Sequence, residues 1–387
     1  MITLLKNIEL YSPAYAGKKD ILITGKKIAA IDNSIEINGL PDLRVYDGKG
    51  QIAVPGFIDN HVHITGGGGE GGFATRTPEL CENDMIKAGV TSVIGVRGTD
   101  GFTRSMENLV AKAKSIRENG LSCWIMTGSY QVPVRTITGC IESDLILIEE
   151  IIGAGEIAIA DHRSSNPGIS DLIRIASSAR IGGMLSGKSG VVTIHLGDGK
   201  NAFSFLNKCI EQSDIPIRHF LPTHVNRNHE LLCQGFSYAK KGGAIDLTTS
   251  GYVKGKDDER TKCSRALKLA LEDNIPVEHI CFSSDGQGSI PVFSEDKELK
   301  GSTIGSCTSL LTELQDAVKK ENIPLEIALK VITQNPARIF QLTGKGELKK
   351  GFDSDIILLD DNLSITTVLA KGNFFMDQNE LVSPMES

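Results

Sequence analysis

Hydrophobic and polar positions follow two different rhythms along the chain. Toward the N-terminus, short apolar runs at 3–5 and 20–24 lead into a Gly25-Lys26 turn and then 27–31, a β-hairpin pattern. The C-terminal stretch is built alike, with Gly346-Glu347-Leu348, runs at 355–359 and 366–369, and a Lys371-Gly372 turn. Two β-rich ends around a different middle predict a small β-sandwich domain formed from both chain termini, residues 1–52 with 346–387. Two unrelated capping hairpins are the competing reading.

Residues 53–345 instead alternate strand-like apolar runs with amphipathic stretches. The runs fall near 53–63, 90–96, 122–128, 150–160, 191–196, 220–225, 244–249 and 280–285. Helical spacing shows in 78–88, 104–118, 169–180, 229–241 and 260–273. Strands alternating with helices make parallel βαβ units, and eight such units match the size of a (β/α)8 TIM-type barrel, an α/β fold. A doubly wound open sheet competes, but no GxGxxG follows the first barrel strand or opens its helix.

Composition narrows the function classes. Of 387 residues, 40% are hydrophobic and 23% charged, which excludes a disordered chain. A formal net charge of −7 argues against nucleic-acid and anionic-membrane partners, both of which need excess Lys and Arg. No apolar stretch approaches the ~18 residues of a membrane span, and the N-terminal residues lack a signal-peptide core, so a cytoplasmic protein is expected. The eight cysteines are scattered without a CxxC pair and read as reduced core thiols.

The strongest local chemical signal is Pro55-Gly56-Phe57-Ile58-Asp59-Asn60-His61-Val62-His63. Strand side chains alternate, so His61 and His63 point to one side and both imidazoles can reach one metal ion. Their place at the C-terminal end of the first barrel strand, the face where barrel active sites sit, favours that over a chance surface pair. His195 closes the 191–194 run, His224 closes 220–223, and Asp285 follows 280–284. One such His is commonly a hydrogen-bonded core residue, but four His and an Asp at one barrel end exceed the needs of a single tetrahedral zinc. They suit two metals roughly 3.5–4 Å apart that share a water. Such a pair calls for a bridging anion, and Glu156, in Gly153-Ala154-Gly155-Glu156-Ile157-Ala158, is the candidate. The other reading has Glu156 opening its strand at the opposite, exposed end. His219, His229 and His279 read as surface residues, and His162 stays ambiguous.

The run Gly66-Gly67-Gly68-Gly69-Glu70-Gly71-Gly72 lacks the Gly-Lys-Ser/Thr of a phosphate loop. Its glycines allow close approach of backbone to a ligand, and Glu70 would favour an ammonium group; a simply flexible loop is the alternative. Arg163 and Arg227, just after expected strands, suit carboxylates bidentately, with ordinary structural ion pairs as the alternative.

Taken together, Pro-Gly-Phe-Ile-Asp-Asn-His-Val-His, the glycines with Glu70, Thr-Gly-Ser-Tyr-Gln-Val-Pro, Asp-His-Arg-Ser, Pro-Thr-His-Val-Asn-Arg-Asn and Ser-Ser-Asp-Gly-Gln-Gly-Ser resemble the isoaspartyl dipeptidase family of the amidohydrolase superfamily. The likeness runs in order through nearly the whole chain. It implies a barrel hydrolase with two Zn2+ per subunit that cleaves dipeptides whose aspartate is joined through its side-chain carboxyl. Residue by residue, it implies His61 and His63 on one zinc, His195 and His224 on the other, and Asp285 as a ligand of the first and the proton acceptor. Gly68, Gly69, Glu70, Thr99, Tyr130, Arg163, Arg227 and Ser289 fall where the family contacts substrate, with Tyr130 also stabilising the oxyanion. The resemblance implies a homo-oligomer, possibly an octamer. Well-known members carry a lysine where Glu156 stands, and that lysine takes up carbon dioxide to form a bridging carbamate. A glutamate beside an apparent one-residue insertion is expected to bridge directly, its strand drawn closer to the metals. Another metal-dependent amidohydrolase, such as a cyclic amidase or deacetylase, and a non-catalytic scaffold are the rival readings.

Overall fold

Eight parallel strands carry the middle of the chain: β1 (Phe57–Val62), β2 (Val90–Gly95), β3 (Ser122–Thr127), β4 (Ile151–Ile159), β5 (Val191–Leu196), β6 (Phe220–Thr223), β7 (Ile245–Thr248) and β8 (Ile280–Ser283). The computed structural model describes residues 2–37, 39–199, 201–293 and 299–382. Strands β1 to β6 form one six-stranded sheet in chain order, and β7 pairs with β8. Nearly every residue in them is buried, as continuous apolar runs require when both faces of a sheet are covered. The expected run at 53–63 is in fact two strands. Ile52–Pro55 joins a different sheet, and the chain breaks at Gly56, where a Cβ would lie 2.2 Å from Thr91 Oγ1.

Helices follow the strands. Ile169–Ser186 turns Leu172, Ile175, Ala176 and Ala179 inward at three- and four-residue spacing. Ser105 caps Met106–Glu118 by accepting from the Asn108 N–H at 3.2 Å, and Asn228 caps His229–Lys240 through the Leu231 N–H at 2.9 Å. The expected 78–88 stretch shrinks to Glu82–Lys87, and Ile141–Leu147 is too short to announce itself by periodicity.

Both ends of the chain share one mixed nine-stranded sheet, which overturns the reading of two separate hairpins. Ile2–Tyr11 pairs antiparallel with Tyr15–Thr24 and parallel with both Leu43–Asp47 and Ile52–Pro55, while Ile52–Pro55 pairs antiparallel with Ile356–Leu359. Ile21 and Ile28 from the N-terminal strands pack in one apolar cluster with Ile356, Leu369 and Phe374.

Two expectations about surface and core fail. Cys81, Cys140 and Cys233 are exposed, and only the other five thiols are buried. His219 is buried rather than superficial, because its ring lies between the Arg180 guanidinium (2.7 Å from Nε2) and the Gly190 carbonyl (3.1 Å from Nδ1). His229 and His279 are half-buried, and His162 is exposed.

A buried lysine fastens the terminal sheet to the parallel one. Lys345 Nζ donates to Ser122 Oγ at the start of β3 (2.8 Å) and to Asp355, and it lies 2.9 Å from Asp353. Burial pushes its ammonium down, but Asp355 and Asp353 more than restore it. Lys345→Met would leave those carboxylates short of their buried cation. A loss of about 3–5 kcal/mol in urea unfolding is expected, and a loss under about 1 kcal/mol would refute the fastening role.

Candidate active site

Residues distant in sequence meet at one end of the parallel strands. His61 lies near the end of β1 and His63 directly follows it, His195 lies near the end of β5, His224 directly follows β6, and Asp285 follows β8. Glu156 sits inside β4, fully buried, with Oε2 at 3.2 Å from His61 Nε2, 3.1 Å from His195 Nδ1 and 3.6 Å from His224 Nε2. Its Oε1 is 3.5 Å from His63 Nε2, and Asp285 Oδ1 is 3.1 Å from that same nitrogen. The reading that left Glu156 at an exposed strand end is therefore wrong.

A local irregularity aims this carboxylate. Val192 faces Ala154 and Ile194 faces Ile157, so Gly155 and Glu156 together oppose the single residue Thr193. One extra residue in one strand is a β-bulge, a device that redirects a side chain. Gly155 has φ 140°, and a Cβ there would lie 2.1 Å from Thr193 Oγ1. His224 (φ 62°) and Asp285 (φ 53°) occupy the left-handed region, which His and Asp tolerate better than most residues.

Charges this deep are tolerated only when they compensate one another. Burial would raise the Glu156 carboxyl, yet the His61 charge and hydrogen bonds from His195 and His224 hold it well below the ordinary range. Conversely, burial lowers His61, but Glu156 pulls it up to about 9. Burial and the neighbouring His195 bring His224 down to about 3. The carboxylates thus attract positive charge into the cluster. His61 Nε2, His63 Nδ1, Glu156 Oε1 and Asp285 Oδ1 are buried without a hydrogen-bond partner. Ligand atoms of His61, His63 and Asp285 lie within 4.8 Å of one another, as do those of His61, Glu156 and His224. Such nitrogen and oxygen donors fit borderline divalent cations such as zinc. His195 belongs to neither triad; its Nδ1 is 2.8 Å from the Tyr130 hydroxyl.

Several supporting residues escaped the sequence reading. Thr248 Oγ1 lies 2.7 Å from His224 Nδ1, and Asn226 accepts from the Thr248 N–H (2.8 Å) while donating to its carbonyl (3.1 Å). Asp161, two residues before Arg163, holds that guanidinium through both carboxylate oxygens. The signal was an acidic residue at a strand end, beside an arginine that drew the attention instead.

A cavity of about 510 Å³ opens on this cluster, lined by His63, His195, His224 and Asp285. Gly68, Glu70, Thr99 and Tyr130 line it as well, together with Arg163, Arg227 and Ser289. Gly69 adjoins Gly68 without lining the cavity. Tyr252, Val253 and Ile290, none of them anticipated, are among its other lining residues. The glycine loop is tightly held rather than loose. Arg104 donates to the carbonyls of Thr65, Gly67 and Thr77, the latter two at 2.9 Å. Gly68 (φ 74°) has no room for a Cβ, which would come within 2.4 Å of the Thr75 carbonyl. Glu70 Oε1 accepts from Thr99 Oγ1 and from Arg163 Nη1, both at 3.2 Å. Arg227 Nε donates to the Leu196 carbonyl at 3.1 Å. Burial and the nearby Glu156 charge raise the Tyr130 phenol well above its usual value, so it stays protonated.

Comparison with known proteins agrees with this geometry. The amidohydrolase family model matches residues 244–384. A dihydroorotase from Elusimicrobium minutum is 26% identical over 411 residues, covering 93% of this chain and 88% of that protein. An adenine deaminase from Escherichia fergusonii is 26% identical over 366 residues, and there the chain spans only 53% of the relative's length. The β-aspartyl dipeptidase of Fervidobacterium islandicum AW-1, solved in complex with β-Asp-Leu, matches with a TM-score of 0.92 and 44% identity over 100% of both chains. On that full-length likeness, the chain belongs to the β-aspartyl dipeptidase family of the amidohydrolases.

Proposed function

We propose that the protein is a zinc-dependent dipeptidase that hydrolyses the isopeptide bond of isoaspartyl dipeptides. The reading rests on Glu70 and Arg163 lining the same cavity as the carboxylate–imidazole cluster. His61, His63 and Asp285 would hold one cation and His195 and His224 the other, with Glu156 between them. Divalent cations bound there would supply Lewis acidity, polarising the scissile carbonyl and acidifying a water. Asp285 accepts the proton of the attacking water on its carboxylate and returns it to the departing amine. The Tyr130 hydroxyl donates to the oxygen on which negative charge develops. Glu70 and Thr99 hold the free α-ammonium of the isoaspartyl residue, while Arg163, Arg227 and Ser289 hold substrate carboxylates, with Gly68 and Gly69 giving the substrate backbone-close access. Glu70 and the arginines favour this reading over a cyclic amidase, whose uncharged ring needs no such set.

The same proposal extends to the architecture. The parallel Val62–Gly286 bridge and the Ser284 N–H donating to Asp59 at 3.0 Å support closure of the eight strands into a barrel spanning 53–345. The apolar cluster shared by strands from both termini supports a sandwich of 1–52 with 346–387. Exposed Leu147, Met184 and Leu185 on neighbouring helices support a homo-oligomer. Among the described residues no helix is long and apolar enough to cross a membrane, in keeping with a cytoplasmic enzyme.

The purified protein is expected to hydrolyse β-Asp-Leu about 100-fold faster than α-Asp-Leu, since an α-linkage misplaces the scissile carbonyl by about one methylene. Equal rates on the two would overturn the specificity. Glu70→Gln should lower kcat/KM on β-Asp-Leu by about 10- to 100-fold, the weight of a hydrogen bond to a charged group; no change would favour a ring amidase. Elemental analysis should find two zinc ions per wild-type subunit and at most one in Glu156→Gln. Undiminished zinc in that variant would remove Glu156 from the ligand set.

A further inference from the structure

Asp161 lies just beyond β4 and is only 8% exposed. Its Oδ1 accepts from the Arg163 backbone N–H (2.8 Å) and from Arg163 Nε (2.9 Å). Its Oδ2 accepts from Arg163 Nη2 at 2.7 Å and lies 3.1 Å from His195 Nε2. One carboxylate oxygen therefore serves both a residue of the cavity wall and an imidazole of the cluster.

The proton on His195 can be placed from its neighbours. Around Nε2 stand Asp161 Oδ2, Arg163 Nη2 at 3.3 Å, the Tyr130 hydroxyl at 3.4 Å and Arg227 Nη2 at 3.5 Å. Guanidinium nitrogens only donate and the Tyr130 hydroxyl lies closer to Nδ1, so Asp161, the nearest of the four, is the acceptor for an Nε2 proton. An Nε2 lone pair would instead face an ionised carboxylate. At Nδ1 stand the Tyr130 hydroxyl at 2.8 Å and a second carboxylate oxygen, Glu156 Oε2 at 3.1 Å, so both ring nitrogens face an acceptor. A cation held jointly by Glu156 and His195 would take the Nδ1 lone pair and leave the proton to Nε2 and Asp161.

We propose that Asp161 is a positioning residue that fixes His195 as its Nε2–H tautomer, turning the Nδ1 lone pair toward Glu156, and through the same carboxylate aims Arg163 Nη1 into the cavity. This rests on the zinc dipeptidase reading above. Partners that orient a ligating histidine govern how tightly it holds metal. Here that orienting group also sets the guanidinium that meets the substrate carboxylate, so zinc retention and substrate recognition depend on one side chain.

Histidine-selective 15N NMR of the zinc-loaded enzyme, with His195 assigned through His195→Gln, should show a proton on Nε2 and none on Nδ1. A proton on Nδ1 overturns the proposal, and this measurement decides it even if variants at 161 fail to fold. In Asp161→Asn, zinc affinity measured against a chromophoric chelator should weaken about 10- to 100-fold. With zinc saturating, KM for β-Asp-Leu should rise about tenfold while kcat changes less. Arg163→Met, which spares the Asp161–His195 contact, should raise KM without loosening zinc. If Asp161→Asn alters only one of the two quantities, or neither, the shared anchoring is refuted. A wild-type enzyme inert toward β-Asp-Leu would instead sink the dipeptidase reading, leaving the tautomer and zinc measurements to judge Asp161 separately.

Discussion

A carboxylate with no access to water, ringed by imidazoles, is the constraint on which the rest of the structure depends. Stripping Glu156 of its hydration is costly, of the order of several kcal/mol for an ion, and only close opposite charge offsets it. The compensating groups come from separate strands, so those strands must end at matching depth. A slip of one residue in β5 would turn His195 to the other face of the sheet and leave Glu156 short of a neighbour at 3.1 Å. The register of the parallel sheet and the electrostatics of the cluster are therefore one requirement seen from two sides.

The rim obeys a different rule. Two buried arginines, Arg97 and Arg104, use carbonyl oxygens as acceptors, and these tie loops together. Arg97 Nε donates to Gly128 (2.9 Å) and its Nη1 donates to Arg104 (2.9 Å), while Arg104 grips the glycine loop. Burial lowers the Arg97 guanidinium to about 10, so it still carries its charge at neutral pH. Glu70, Thr99 and Tyr130 all depart from segments held by this pair. Their loops are ordered by fixed hydrogen bonds rather than by packing of apolar side chains, of which the glycine run has none.

Much of this was legible in the sequence, for a physical reason. Fully buried parallel strands read as unbroken apolar runs, and His61, His63, His195, His224 and Asp285 stand where those runs stop. The arginines and Glu70 likewise stood out as charges in loops after strands. Glu156 was ambiguous because a bulge has no signature in a two-residue periodicity, and the bulge alone decides which way that side chain turns. The break at Gly56 was hidden because the apolar run continues through it while the chain passes from one sheet to another. Asp161, Thr248 and Asn226 act on other side chains through hydrogen bonds, and nothing in local spacing marks such a residue. His219 and the exposed Cys81, Cys140 and Cys233 show the converse, since burial of an isolated polar or sulfur residue depends on tertiary neighbours.

The nine-stranded sheet also bears on how the chain is made. Ile2–Tyr11 gains its partners Tyr15–Thr24 and Ile52–Pro55 early in synthesis, but Ile356–Leu359, the next strand outward, leaves the ribosome some three hundred residues later. Until then the edge of Ile52–Pro55 is open, with backbone donors and acceptors available to any other nascent strand. Contacts of such long sequence separation are slow to form, so that edge stays open to mispairing through most of the chain's synthesis.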